Sequence, residues 1–353
     1  MRVIYICERP YNLFRTLLKA VNSNDEMDIM ITDNVKGMEL MCDELRHCGL
    51  FKNVFFFNEL KHKTFDYPLR SHNTFGVKSF ADFRYVISCI FSIIKGFFNY
   101  LRSQRQAKHI KLPHGLDFTK YDEIHLTDCT SIINFYLYHK KFTNLIYVEH
   151  GKDALSGHYP RVTDYLTVFV KLRIIYGVRG SCRYIKAIEV NKNENLIKDT
   201  RGKEIREIPL DDLIDVLSSE QKDFIYRIYA KSYNFDFSGN SVIDVFLTTS
   251  TIWDVPIDLF IPLCRDMIEQ HMLDADYIII KPHPSDSTDY SEIPKLYPNV
   301  VLVPASFSAE IFTFNSSLKI RKLINIISTA TNMFKSVDEV ITLDRDFIAD
   351  YKG

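Results

Sequence analysis

"EIHLTDCTSIINFYLYHKKFTNLIYVE", residues 123–149, decides the fold. Two short runs rich in β-branched and aromatic residues, EIHLTD (123–128) and NLIYVE (144–149), flank SIINFYLYHKKF, which has the length and pattern of a crossover helix. A strand, a helix and a second strand at this spacing make a βαβ unit, whose two strands lie parallel. The same rhythm runs upstream. RVIYIC (2–7), MDIMIT (27–32) and NVFFF (53–57) are further strands, and NLFRTLLKAV (12–21) is a helix after the first of them.

Residues 174–210 break the rhythm, with extended stretches YIKAIEV and EIREIPL among polar turns, and residues 211–231 form a helix. From about 240 the alternation restarts: VIDVFLTTS, a helix over 256–273, YIIIKPHP, NVVLVPA, SAEIFTF, LINIISTATNMF and EVITL. Alternating strands and helices predict an α/β fold with parallel sheets. Two such halves predict two Rossmann-like domains facing a cleft: 1–175, an irregular connecting region 176–239, and 240–353. A chain of 353 residues suits two domains of ordinary size.

The composition is 46% hydrophobic and 25% charged, that of a globular chain. A net charge of -1 gives no bulk attraction to nucleic acid, so anion recognition must come from a few placed cations. Seven scattered cysteines, with no zinc-type spacing, predict buried thiols in a reducing cytoplasm and no metal site. The opening MRVIYICERPY has too short an apolar run for a secretory signal. YVISCIFSIIKGFFNYL (85–101) falls short of the roughly 20 apolar residues of a spanning helix. With the basic tract behind it (Arg102, Arg105, Lys108, Lys111), residues 85–111 suit either peripheral contact with the inner face of a membrane or a buried helix and a solvated turn; the same aromatic surface suits a homodimer contact.

In open parallel sheets, ligands bind outside the carboxyl ends of the strands, and three strand ends here carry polar groups. Glu149, His150 and Gly151 follow one strand. The carboxylate suits general-base work on a hydroxyl, and the glycine allows a tight turn or close approach of a substrate. The structural alternative is a strand-terminal Glu paired with Lys152. The strand YIIIK ends in Lys281, Pro282, His283 and Pro284. Neither proline donates to a ladder, and each restricts the residue before it, so His283 is held extended beside Lys281 as an anion clamp and proton donor. Ser328 and Thr329 follow the strand LINII where a helix should start; hydroxyls there cap the helix or bind phosphate. Glu310 in FSAEIF either belongs to a helix cap or reads the hydroxyls of a nucleoside ribose. A base, an anion clamp and a phosphate-binding helix end in this order suit transfer from a phosphate-activated donor.

The blocks VIYICERPYNLF (3–14), LTDCTSIINFYLYHKKFTNLIYVEHG (126–151), IIIKPHPSD (278–286), VLVPASFSAEIF (301–312) and INIISTATNMF (324–334) together resemble glycosyltransferase family 52, the bacterial sialyltransferases of the lipooligosaccharide and capsule type, and their polysialyltransferase relatives. The resemblance implies a two-domain GT-B fold, CMP-sialic acid as donor, a glycan acceptor, inversion at the anomeric carbon and no required metal. It implies that Glu149 and Gly151 stand in the family's acidic-acidic-Gly triplet, His283 and Pro284 in its His-Pro pair, and Ser328 with Thr329 in its hydroxyl pair; the strand-end reading above adds Lys281 and Glu310 at the donor. His150 departs from the triplet, where the family has a second carboxylate. If the base lies elsewhere, Asp254 or Asp258 of TTSTIWDVPIDLF is the nearest candidate. The same departure keeps two alternatives open: the CDP-polyol phosphotransferases of teichoic acid synthesis, and an inactive nucleotide-sugar-binding relative.

Overall fold

The computed structural model describes residues 1–62, 98, 101–127, 131–149, 182–192, 202–235, 237, 240–249, 257–284, 286–326, 334 and 337–351. The elements run β1 (Arg2–Cys7), α1 (Pro10–Val21), β2 (Glu26–Thr32), α2 (Met41–His47), β3 (Asn53–Phe57), β4 (Glu123–Leu126), α3 (Ile132–His139), β5 (Leu145–Val148), β6 (Ile185–Val190), β7 (Glu204–Glu207), α4 (Leu210–Asp215), α5 (Ser219–Tyr233), β8 (Ser241–Leu247), α6 (Phe260–Met267), β9 (Tyr277–Lys281), α7 (Ile293–Leu296), β10 (Val300–Leu302), β11 (Leu318–Ile326), β12 (Glu339–Leu343) and α8 (Arg345–Tyr351).

They build two wholly parallel sheets, a seven-stranded one in the order β3-β2-β1-β4-β5-β6-β7 and a five-stranded one in the order β10-β9-β8-β11-β12. Each starts in the middle, winds to one edge and then crosses back to continue on the other side. That is doubly wound topology, with a switch point between β1 and β4 in the first sheet and between β8 and β11 in the second. Two Rossmann-like sheets in one chain are the GT-B type of α/β fold that the sequence predicts.

The central strands are apolar on both faces, as parallel strands covered by helices must be. In β1 every residue after Arg2 is buried, and β9 buries Ile278, Ile279 and Ile280 completely. Each sheet also buries an aspartate that ties strands together. In the first, Asp28 accepts from Tyr121 Oη at 2.6 Å and from the backbone N–H of Asn53 at 2.9 Å. In the second, Asp244 accepts from Arg321 Nε at 3.1 Å and from the Lys322 backbone N–H at 3.0 Å. Replacing either carboxylate would strand buried donors, so these groups fix register.

The chain divides into two compact units, Met1–Asn34 with Gly49–Val216, and Val35–Cys48 with Leu217–Gly353. The middle of the chain therefore differs from the expected irregular connection over 176–239. YIKAIEV and EIREIPL supply β6 and β7 at the edge of the first sheet, whereas α5 belongs to the second unit. Edge strands as short as the four residues of β7, half-exposed and charged, carry little apolar signal for sheet membership. The helix expected over 211–231 is two helices, because Ser218 opens a capping box: its Oγ accepts from the Gln221 N–H at 3.2 Å, and Gln221 Oε1 accepts from the Ser218 N–H at 2.9 Å.

Residues 35–48, sequentially inside the first half, pack with α5. Gly37 there has φ +95° and lies so close to Ser306 that a Cβ would come within 2.5 Å of Oγ. Tyr229 and Tyr233 of α5 meet the Phe307 ring edge-on at 5.5 and 5.7 Å, fixing the start of the segment that carries Glu310.

Candidate functional site

The polar group that best fits a ligand site lies in the second unit, at the carboxyl ends of β8 and β9. β9 ends on Lys281, only 7% exposed, whose Nζ donates to the carbonyl of Pro282. His283 follows, half-buried, and its backbone N–H donates to Thr248 Oγ1 at 3.0 Å. Thr248 stands directly after β8, beside the switch point. Its own N–H donates to the Lys281 carbonyl at 3.2 Å, and its hydroxyl donates to Asp286 Oδ2 at 2.5 Å.

Asp286 closes the loop. Besides Thr248 it accepts from Tyr290 Oη at 2.8 Å and from the Thr288 N–H at 2.9 Å, while its N–H donates to the His283 carbonyl at 2.8 Å. One carboxylate thus gathers a strand-end hydroxyl, a buried phenol and two turns of backbone around His283. The two prolines and this latch together determine where the backbone of His283 sits.

The electrostatics suit an anion. Burial pushes the Lys281 ammonium down to about 8, with the charges of Glu310 and Asp286 opposing that shift. Glu310, half-buried in the 3₁₀ segment Ala309–Phe314, has its carboxyl pushed up by burial, against the pull of Lys281. Burial, reinforced by Asp286, also raises the Tyr290 phenol, which stays a hydrogen-bond donor at neutral pH. A desolvated ammonium two residues from a histidine is a strong electrostatic partner for a phosphate group that enters from solvent.

Of the other residues singled out in the sequence, Asp258 is exposed in the 3₁₀ turn Ile257–Leu259. Pro284 is exposed beyond His283. His150, Gly151, Asp254, Ser328 and Thr329 lie outside the described residues, as does most of 85–101. β11 ends at Ile326, so Ser328 and Thr329 follow in sequence the strand on the far side of the second switch point. Arg102, Arg105, Lys108 and Lys111 are exposed, and among the described residues no helix is long and apolar enough to cross a membrane.

In the first unit Glu149 stands directly after β5 and is 1% exposed; its Oε2 accepts from the Asn191 N–H at 2.7 Å. Asn191 Oδ1 in turn accepts from the Leu210 N–H at 2.6 Å, so Glu149 helps join the ends of β5 and β6 to the start of α4. At that sheet's switch point the carboxylate is Glu8, fully buried after β1, with Oε2 accepting from Thr127 Oγ1 at 3.1 Å. Glu8, Thr248, Asp286 and Tyr290 escaped sequence reasoning. Their signal was present, since each ends an apolar strand or follows the KPHP turn. Choosing them required knowing which strands flank the switch points.

The sequence pattern of glycosyltransferase family 52 matches residues 94–343, more than half of the chain and all of β4 to β12. No curated protein matches it. Solved structures are similar at a distance. Arabidopsis thaliana UGT89C1 complexed with UDP has a TM-score of 0.45 and 11% identity, covering 98% of this chain and 86% of that one. The N-terminal domain of Candida albicans trehalose-6-phosphate phosphatase has a TM-score of 0.37 and 11% identity, covering 94% and 83%. E. coli ADP-heptose LPS heptosyltransferase II has a TM-score of 0.33 and 7% identity, covering 99% and 94%.

Proposed function

The chain belongs to glycosyltransferase family 52, and from that premise we propose that it transfers sialic acid from CMP-sialic acid to a hydroxyl of a glycan acceptor in bacterial surface polysaccharide synthesis. The observation that carries this reading is the polar group at the carboxyl ends of β8 and β9, where buried Lys281 and latched His283 stand two residues apart in sequence beside a topological switch point.

In the proposed reaction the acceptor oxygen attacks the anomeric carbon of the donor sugar as the bond from that carbon to the phosphate oxygen breaks. CMP leaves with the bonding electrons. Lys281 stabilises the charge that builds on the phosphate, and His283 donates a hydrogen bond or proton to the leaving oxygen. Ser328 and Thr329 complete the phosphate site, and Glu310 faces the ribose hydroxyls. A strand-end carboxylate of the first unit takes the acceptor proton. Glu149 holds that role by its position in the triplet, with Asp258 and Asp254 as the substitutes that His150 leaves open. The displacement inverts the anomeric centre and needs no metal. The exposed cations between Arg102 and Lys111 suit contact with the inner face of a membrane that carries the acceptor.

The test is direct. The purified chain is incubated with a galactoside acceptor and CMP-sialic acid, CDP-glycerol or CDP-ribitol, with and without EDTA, and both CMP release and acceptor mass are followed. CMP release with an acceptor gain of one sialic acid, unaffected by EDTA, is the expected result. Turnover of a CDP-polyol alone would move the chain to the polyol phosphotransferases that His150 also suits, and binding without turnover to the inactive class.

A further inference from the structure

Among the described residues, the first unit contains a buried cation without a counter-ion. Arg15, on α1, is 1% exposed. Its Nη2 donates to the Ile208 carbonyl at 2.7 Å, but its Nε and Nη1 have no hydrogen-bond partner among the described residues. One turn earlier Asn12, 3% exposed, has neither amide atom paired. Both side chains line one small cavity between α1 and the sheet, with Tyr5 and Ile6 of β1, His125 of β4 and Val148 of β5. β1 and β4 are the strands of the first switch point, so the cavity sits under the place where doubly wound sheets hold ligands.

Among the described residues, the neighbouring charges do not neutralise Arg15. Lys19, one turn further along α1, is paired with Glu189, and burial lowers the lysine while Arg15 lowers it further by repulsion. Burial alone would raise Glu189, yet Lys19 and His125 hold it well below the usual carboxylate range, so its charge is committed to them. His125 itself lies between Glu123 at 3.2 Å and Glu189 at 3.3 Å. A guanidinium cannot escape burial by losing its proton, and an unpaired buried charge is expensive. The cavity has room for one water-sized occupant.

We infer that this cavity is a binding site for a small monatomic anion of the halide class, held by Arg15 Nε and Nη1 and by the Asn12 amide. The unpaired donors outnumber the acceptors, the occupant must balance one positive charge, and the small space suits a monatomic ion. Arg15 and Asn12 belong to the first unit, Lys281 and His283 to the second, and the inference does not depend on which donor the enzyme uses.

The experiment measures thermal unfolding of the full chain at constant ionic strength while sodium chloride replaces sodium gluconate, whose anion is too large to enter. The melting temperature of the wild type should rise with chloride and saturate. Asn12→Ala should raise the half-saturating chloride by about tenfold, the worth of one hydrogen bond to a charged group, and Arg15→Met should abolish the dependence. Because Arg15→Met can fail to fold, wild-type crystals grown in bromide supply a second reading: an anomalous peak within hydrogen-bond reach of Arg15. A linear chloride response that Arg15→Met retains, or a site in the crystal holding water only, overturns the inference.

Discussion

Replacing Lys281 by Met should make the protein more stable and less able to bind its donor. In the native state burial pushes the ammonium from its ordinary 10.5 to about 8. That gap of about 2.5, at roughly 1.4 kcal/mol each, means that keeping the charge buried costs roughly 3.5 kcal/mol. Methionine fills a similar volume without the charge. That figure already contains the attraction of Glu310 and Asp286, and repacking around a new side chain takes back about 1 kcal/mol. A net gain of about 2.5 kcal/mol remains, which for a unit of this size raises the melting temperature by roughly 5–10 °C.

The gain has a defined pH dependence. Below about 8 Lys281 is charged in both folded and unfolded chains, so the full cost is present. Between about 8 and 10.5 the folded chain releases the proton that the unfolded chain keeps, so the wild type gains stability with pH relative to the variant. Calorimetric scans at pH 7, 9 and 10.5 should show the advantage of Lys281→Met largest at pH 7 and nearly gone at pH 10.5. A variant less stable than the wild type at pH 7, or an advantage that pH does not change, would refute the reasoning. The loss of CMP affinity in the same variant is the complementary sign that the charge is retained for binding rather than stability.

The latch around His283 offers a second test. Asp286→Ala leaves the Thr248 and Tyr290 hydroxyls and the Thr288 N–H without their acceptor, and should cost about 2–4 kcal/mol; urea unfolding measures it. Asp286→Asn, which keeps the shape, should lower kcat/KM for the donor more than it lowers stability. His283→Ala should fold normally and lose on the order of 10²-fold in turnover, and near-native activity would remove His283 from the mechanism. Among the carboxylates, Glu149→Gln should abolish transfer at saturating donor, whereas Glu8→Gln and Asp258→Asn should retain it; the reverse pattern in steady-state assays would relocate the base. Gly37→Ala should destabilise the protein by about 1–3 kcal/mol, because φ +95° and the nearby Ser306 Oγ both oppose a Cβ. Melting temperatures of that variant alone and combined with Ser306→Gly check it, since the second change should recover only the steric part.

Much of the fold was legible because parallel strands buried on both faces leave continuous apolar runs, as in RVIYIC and YIIIK. The helical and extended stretches of the middle were legible too, but their membership was not. β7 is short and charged, and α5 joins the second unit through tyrosines meeting Phe307, contacts that no local pattern reveals. The polar group at the ends of β8 and β9 was half legible. Two prolines around a histidine announce a constrained backbone, so Lys281 and His283 could be chosen from sequence. Thr248 and Asp286 could not, because a hydroxyl 35 residues before His283 becomes its hydrogen-bond partner only after β8 and β9 pair. Arg15 and Asn12 sit one turn apart on an ordinary amphipathic helix, and their lack of partners is a property of the packed interior alone.

If Lys281 and His283 hold the phosphate of a CMP-linked donor, calorimetric titration of the full chain with CMP, CDP and UMP in EDTA will register it. Saturable CMP binding, stronger than that of CDP or UMP and weakened at least about tenfold by either His283→Ala or Lys281→Met, is the predicted result. Preference for CDP, or CMP binding that neither substitution alters, would contradict it.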